Sequence, residues 1–130
     1  MANRNKFKDK IFVIRTQAFN LDNGAGTTVD EVLLDTGGRS GRIVRAYALY
    51  NELTGTVAAG NWKIGVAVGG ATLVAATAYE DAAAVGAITE GVVLLGGYVP
   101  SGEEIFVRHT GVAATQGGTA NICVEFAFDD

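Results

Sequence analysis

The chain holds one histidine, His109, and one cysteine, Cys123, the two side chains best suited to proton transfer or nucleophilic attack near neutral pH. A cysteine becomes a thiolate nucleophile when an imidazole lies beside the sulfur, so the pair would have to be brought together by the fold. Their local patterns point elsewhere. His109 continues the alternating face of Ile105 and Val107, which reads as a packed or loop-edge histidine. Cys123 alternates with Asn121 and Glu125 opposite the apolar face of its own segment, as at a second interface or a subunit contact. One His and one Cys also fall short of the ligand count of a zinc site, a His-pair metal site or a disulfide framework. The expected catalytic, cofactor and metal sets are therefore empty, and the chain is expected not to be an enzyme.

Other motifs resemble binding loops in part. Gly24-Ala25-Gly26 and Gly37-Gly38-Arg39-Ser40-Gly41-Arg42 complete neither G-x-G-x-x-G nor G-x-x-x-x-G-K-[ST], and neither leads into a helix whose N–H groups would hold phosphate. Asp22-Asn23-Gly24 lacks the alternate oxygen ligands and the closing Glu of a calcium loop, and turn chemistry accounts for it. Trp62, Tyr47, Tyr50, Tyr79 and Tyr98 would make a sugar-binding platform if exposed together, or core and interface packing if not. Arg39, Arg42 and Arg45 would grip carboxylates on a partner or sit in a solvated loop, with Arg42 and Arg45 on opposite faces of a strand.

Charge is unevenly placed. Residues 1–15 carry Arg4, Lys6, Lys8, Lys10 and Arg15 against Asp9, although the whole chain has a formal net charge of −4. In an extended conformation Lys6, Lys8 and Lys10 project to one side while Phe7 and Ile11 face the other. Such an arm suits an acidic surface on a partner or neighbouring subunit; equally, its lysines would guard an edge strand against mispairing. The candidate contact set is Arg4, Lys6, Phe7, Lys8, Lys10, Arg39 and Arg42. An isoelectric point near 4.9 has the wrong sign for general nucleic-acid binding. No apolar run reaches membrane-span length, and Phe12-Val13-Ile14 runs straight into Arg15, unlike a signal peptide; neither a membrane nor export by that route is expected.

The elements that must position these residues are strands. Val, Ile and Thr total 34 residues against 22 for Leu, Met, Glu, Lys and Gln, and apolar residues repeatedly recur at every second position. The pattern predicts strands over 10–19, 29–35, 42–52, 61–68, 71–76, 88–96, 103–110 and 119–128. In 42–52 the two faces separate as Ile43, Arg45, Tyr47, Leu49 and Val44, Ala46, Ala48, Tyr50. Gly69-Gly70 reads as a two-residue hairpin turn, residues 77–87 as a short helix or loop, and Val92-Val93-Leu94-Leu95 as a strand buried on both faces. The spacing leaves no room for repeated crossover helices. The expected fold is all-β: a two-sheet antiparallel sandwich, jelly-roll-like, with at most one short helix near residues 77–87. Residues 1–10 form a basic arm and residues 11–130 one sandwich domain.

The stretch Asn61-Trp62-Lys63-Ile64-Gly65-Val66-Ala67-Val68-Gly69-Gly70, the segment Val99-Pro100-Ser101-Gly102-Glu103-Glu104 and the closing strand 120–128 give residues 42–128 a recognisable style. Together with the basic arm, they resemble the head decoration, or cement, proteins of tailed bacteriophages. The resemblance implies a virion protein made in the host cytoplasm and seated on the capsid exterior. It would bind the major capsid protein, bridge its subunits and be a homotrimer. A phage fibre or baseplate piece, or a carbohydrate-binding sandwich module, is the alternative.

Overall fold

A computed structural model describes residues 10–129 of the chain. It is built from ten strands: β1 (Phe12–Arg15), β2 (Phe19–Asn20), β3 (Thr28–Asp35), β4 (Gly41–Tyr50), β5 (Asn61–Gly65), β6 (Val74–Ala78), β7 (Ile88–Glu90), β8 (Tyr98–Val99), β9 (Glu104–Thr110) and β10 (Thr119–Phe128). One sheet runs β1-β10-β4-β7, with β2 also on β10 and β8 also on β4; the other runs β3-β9-β5-β6. All pairings are antiparallel. With β1/β2 and β7/β8 each counted as one interrupted strand, the order is 1-8-3-6 over 2-7-4-5. That is the strand order of a jelly roll, as the sequence predicts.

The core lies between the sheets. Ile43, Ala46, Ala48 and Tyr50 of β4 and Ile122, Val124 and Phe126 of β10 meet Trp62, Ile64, Ile105 and Val107 of the facing sheet, all fully buried. Each large apolar side chain so buried contributes about 1.5–3 kcal/mol. The expected two faces of 42–52 are corrected at one point. The register of β4 on β10 slips between Glu125 and Phe126, leaving Val44 without a partner, so Ile43 joins Ala46 on the core face. The same bulge turns Arg42 and Arg45 to the same, outer face instead of opposite ones.

Three other expectations shift for identifiable reasons. The strand over 10–19 is broken because the buried Thr16 hydroxyl accepts the Ile122 N–H at 3.0 Å; the phase then changes and Phe19, not Ala18, is buried. The 61–78 hairpin forms, but its connection is residues 66–73, wider than the expected glycine pair. There the chain folds back over Gly65, where a Cβ would lie 2.7 Å from the Gly70 carbonyl carbon. Of the short helix or loop expected over 77–87, the loop forms: residues 79–87 are turns, because Ala82 N–H bonds Gly55 O and Ala83 N–H bonds the Thr54 hydroxyl.

Residues 88–96 are not a strand buried on both faces. Pairing with β4 ends after Glu90, Gly91 packs too closely on Trp62 and Val74 to carry a Cβ, and Leu95–Gly97 forms a 3₁₀ turn. Val92 and Leu95 end up exposed.

One lateral side of the sandwich is stitched shut by this segment, through the Val74–Val93 bridge and Ala75 N–H to Val92 O. On the other side β1 faces β3 across a seam spanned by Gln17 N–H to the Glu31 carboxylate at 3.1 Å.

Candidate functional site

The register brings the described members of the predicted contact set to one end of the sandwich. Gly41 lies opposite both Phe128 and Val99, and Phe12 opposite Phe126, so Lys10, Arg39 and Arg42 share the end where β4 and β8 meet. Lys10 Nζ stands 5.5 Å from the Phe12 ring, Phe12 meets Phe128 edge-on at 6.4 Å, and the Arg39 guanidinium lies over the Phe128 ring at 4.8 Å. Arg39 also donates to the Asp129 carbonyl at 2.9 Å, and Ser40 to the Asp129 carboxylate at 2.7 Å. Arg42 is exposed between Ala127 and Tyr98 on the outer face. A cation–aromatic ladder of this kind offers flat apolar area with fixed positive charge, suited to an acidic, partly apolar protein surface. Arg4, Lys6, Phe7 and Lys8 lie outside the described residues.

Arg45 is not free to grip a partner's carboxylate. It donates to Glu90 and to Glu125, the latter at 3.3 Å, and lies over the Tyr47 ring at 4.4 Å; its two carboxylates raise its pKa.

The residues suited to chemistry are kept apart. His109 is fully buried on β9. Its Nδ1 accepts from the Tyr79 hydroxyl at 2.7 Å, its Nε2 faces the Asn23 Oδ1 at 3.3 Å, and its ring stacks on Phe19 at 5.2 Å. Burial pushes the imidazole below its ordinary pKa, with a hydrogen bond to the Asn20 backbone opposing. Cys123 is buried in the other sheet, where burial pushes its thiol up against the smaller opposing effects of Arg15 and Tyr47. A high-pKa thiol remote from the imidazole has the features of packing, not of a nucleophile. Among the described residues no group of three or more His, Cys, Asp or Glu is placed to hold a metal ion, and no helix is long and apolar enough to cross a membrane.

Two loop readings resolve. Asp22 and Asn23 serve as turn residues, Asp22 accepting from Gly117 N–H at 3.1 Å. A sugar platform does not assemble, because Trp62, Tyr50 and Tyr79 are all buried in the core.

Exposed apolar side chains form a feature that residue patterns did not reveal. On the seam side, Ile11, Phe12 and Val13 of the β1 edge and Val32 of β3 are exposed. On the stitched side, Val85, Ile88, Val92, Leu95 and Tyr98 are exposed along residues 85–98, with Leu95 at 94%. These two opposite edges hold nine of the twelve large exposed apolar side chains among the described residues. Leu95 is displayed at φ +50°, a conformation a leucine adopts only under constraint. Comparison with models of known protein families, with characterised proteins and with solved structures finds no match to this chain.

Proposed function

We propose that this protein is a structural component of a tailed-phage virion: a decoration protein that binds the outer surface of the capsid and braces neighbouring copies of the major capsid protein. The observation that carries the reading is the placing of Lys10 and Arg39 on the Phe12–Phe128 pair, with Arg42 exposed at the same end of the larger sheet. Individual exposed ion pairs are worth only about 0–1 kcal/mol, so attachment draws on several contacts per copy and on several copies acting together. A rigid frame suits such a role, and β4 and β10 are paired over nearly their whole length, so contact residues are held at fixed spacings. Working as a homotrimer, the protein would present three such ends to the shell. The reading invokes no catalysis, cofactor, nucleic acid or membrane.

Immunogold electron microscopy on particles from cells producing the protein tests this directly. Label on the capsid shell is expected. Label confined to tails or baseplates, or to the particle-free fraction, would overturn it.

A further inference from the structure

The two exposed edges correspond level by level. Following the register across the large sheet, Arg15 lies opposite Cys123, Cys123 opposite Tyr47, and Tyr47 opposite Glu90. Arg15 and Glu90 therefore sit at the two ends of one row, both on the outer face. Val13 lies opposite Glu125 and Glu125 opposite Arg45; on the far edge Gly91 N–H bonds Ala46 O, which brings Val92 to that level. One step further, Ile11 precedes the Phe12–Phe126 pair and falls level with Ala127 and Arg42, and Arg42 pairs with Tyr98. The β1 edge thus reads Ile11, Val13, Arg15 where the opposite edge reads Tyr98, Val92, Glu90. Apolar residues match apolar ones, and a cation matches the single charged residue of segment 85–98, Glu90, which is bound by Arg45 of its own chain yet half-exposed and open to a second cation.

We infer that these edges are two halves of one interface, and that the β1 edge of one copy docks on residues 85–98 of the next, about an axis running along the strands. β1 and β7 run in opposite directions in the sheet, so the meeting edges are antiparallel, as every pairing within the molecule is. The two patches are different surfaces on opposite sides, so the contact is head-to-tail and not that of a twofold dimer; with the axis along the strands, repetition returns to the first copy and gives a ring. Leu95, bare and held in a left-handed turn, is the knob of this edge. The inference rests on the reading of the protein as an assembling structural component, and supplies the surface by which its copies join.

Two exposed valines make the test without threatening the core: Val13→Asp spoils the first edge and Val92→Asp the second. Sedimentation equilibrium of the full chain is expected to show an assembled parent and two monomeric variants with unchanged circular dichroism. An equimolar mixture of the variants is expected to form a two-chain complex, because each retains the half the other has lost. Ring closure strengthens assembly by about 10² or more, so the mixture is measured at about a hundredfold higher concentration than the parent needs. A monomeric parent, variants that keep the parent's mass, or a mixture that stays monomeric would each overturn the inference. Attachment to shells is scored separately: an assembled parent that ignores capsids removes the capsid reading alone, and a monomer that coats them removes this one alone.

Discussion

The buried pair Tyr79–His109 makes the stability of the fold depend on pH in a window that belongs to one residue. His109 is the chain's only histidine, so no other side chain has an ordinary pKa between 5 and 8. Burial lowers its pKa in the folded protein, while in the unfolded chain it titrates near 6.5. At pH 8 both states are neutral there and the fold has its full stability. As the pH falls below about 6.5 the unfolded chain takes up the proton first, and stability drops with a limiting slope of about 1.4 kcal/mol per pH unit until the folded pKa is reached. Replacing Tyr79 by Phe removes the hydroxyl 2.7 Å from His109 Nδ1 and leaves a buried acceptor unpaired, a loss of about 1–3 kcal/mol at pH 8. Urea unfolding followed by the fluorescence of Trp62, the only tryptophan and wholly buried, reads both effects. His109→Gln should flatten the profile between pH 5 and 7. A steep slope surviving in His109→Gln, or a Tyr79→Phe variant as stable as the parent, would contradict this account of the pair.

Other outcomes follow from single positions. Gly97→Ala should destabilise the fold by more than about 2 kcal/mol in thermal melts, since a Cβ there meets the Ile43 carbonyl and the backbone is at φ +69°. Ala82, exposed at φ +53°, should accept Asn with a gain of up to about 1 kcal/mol, because Asn tolerates that conformation better. Arg39→Ala should change unfolding free energy by no more than about 0.5 kcal/mol, its contacts being at the surface, yet weaken binding to capsid shells in a co-sedimentation assay. Removing residues 1–8 should leave the circular dichroism spectrum intact and reduce shell attachment, most visibly at low salt, where the charges are least screened.

Alternation makes much of this architecture legible in the sequence. Trp62 and Ile64, Ile105 and Val107, and Ile122, Val124 and Phe126 announce their strands and their buried faces, because one covered face imposes period two on the residues themselves. What stayed hidden depends on partners. The bulge at Val44 arises from how β4 lies on β10, and nothing in residues 42–50 marks it. The run Val92-Val93-Leu94-Leu95 looks like a core strand by composition, yet Gly91, Gly96 and Gly97 bend it across the edge and leave half of it uncovered. The convergence of Lys10, Arg39 and Arg42 on one end of the sandwich follows from the Gly41–Phe128 register, a relation between residues far apart in the chain.

The pairing of β1 with β10 also sets the order in which the molecule can be made. Phe12 finds its partner at Phe126, and β4 finds its long neighbour only in residues 119–128. On the ribosome the larger sheet therefore lacks a central strand until residues 119–128 have emerged, and Ile43, Ala46 and Ala48 wait without cover. Contacts this distant in sequence close slowly, on the millisecond-to-second scale typical of non-local β folds. A nascent chain stalled before residue 119 is then a substrate for chaperones and not a partly working protein.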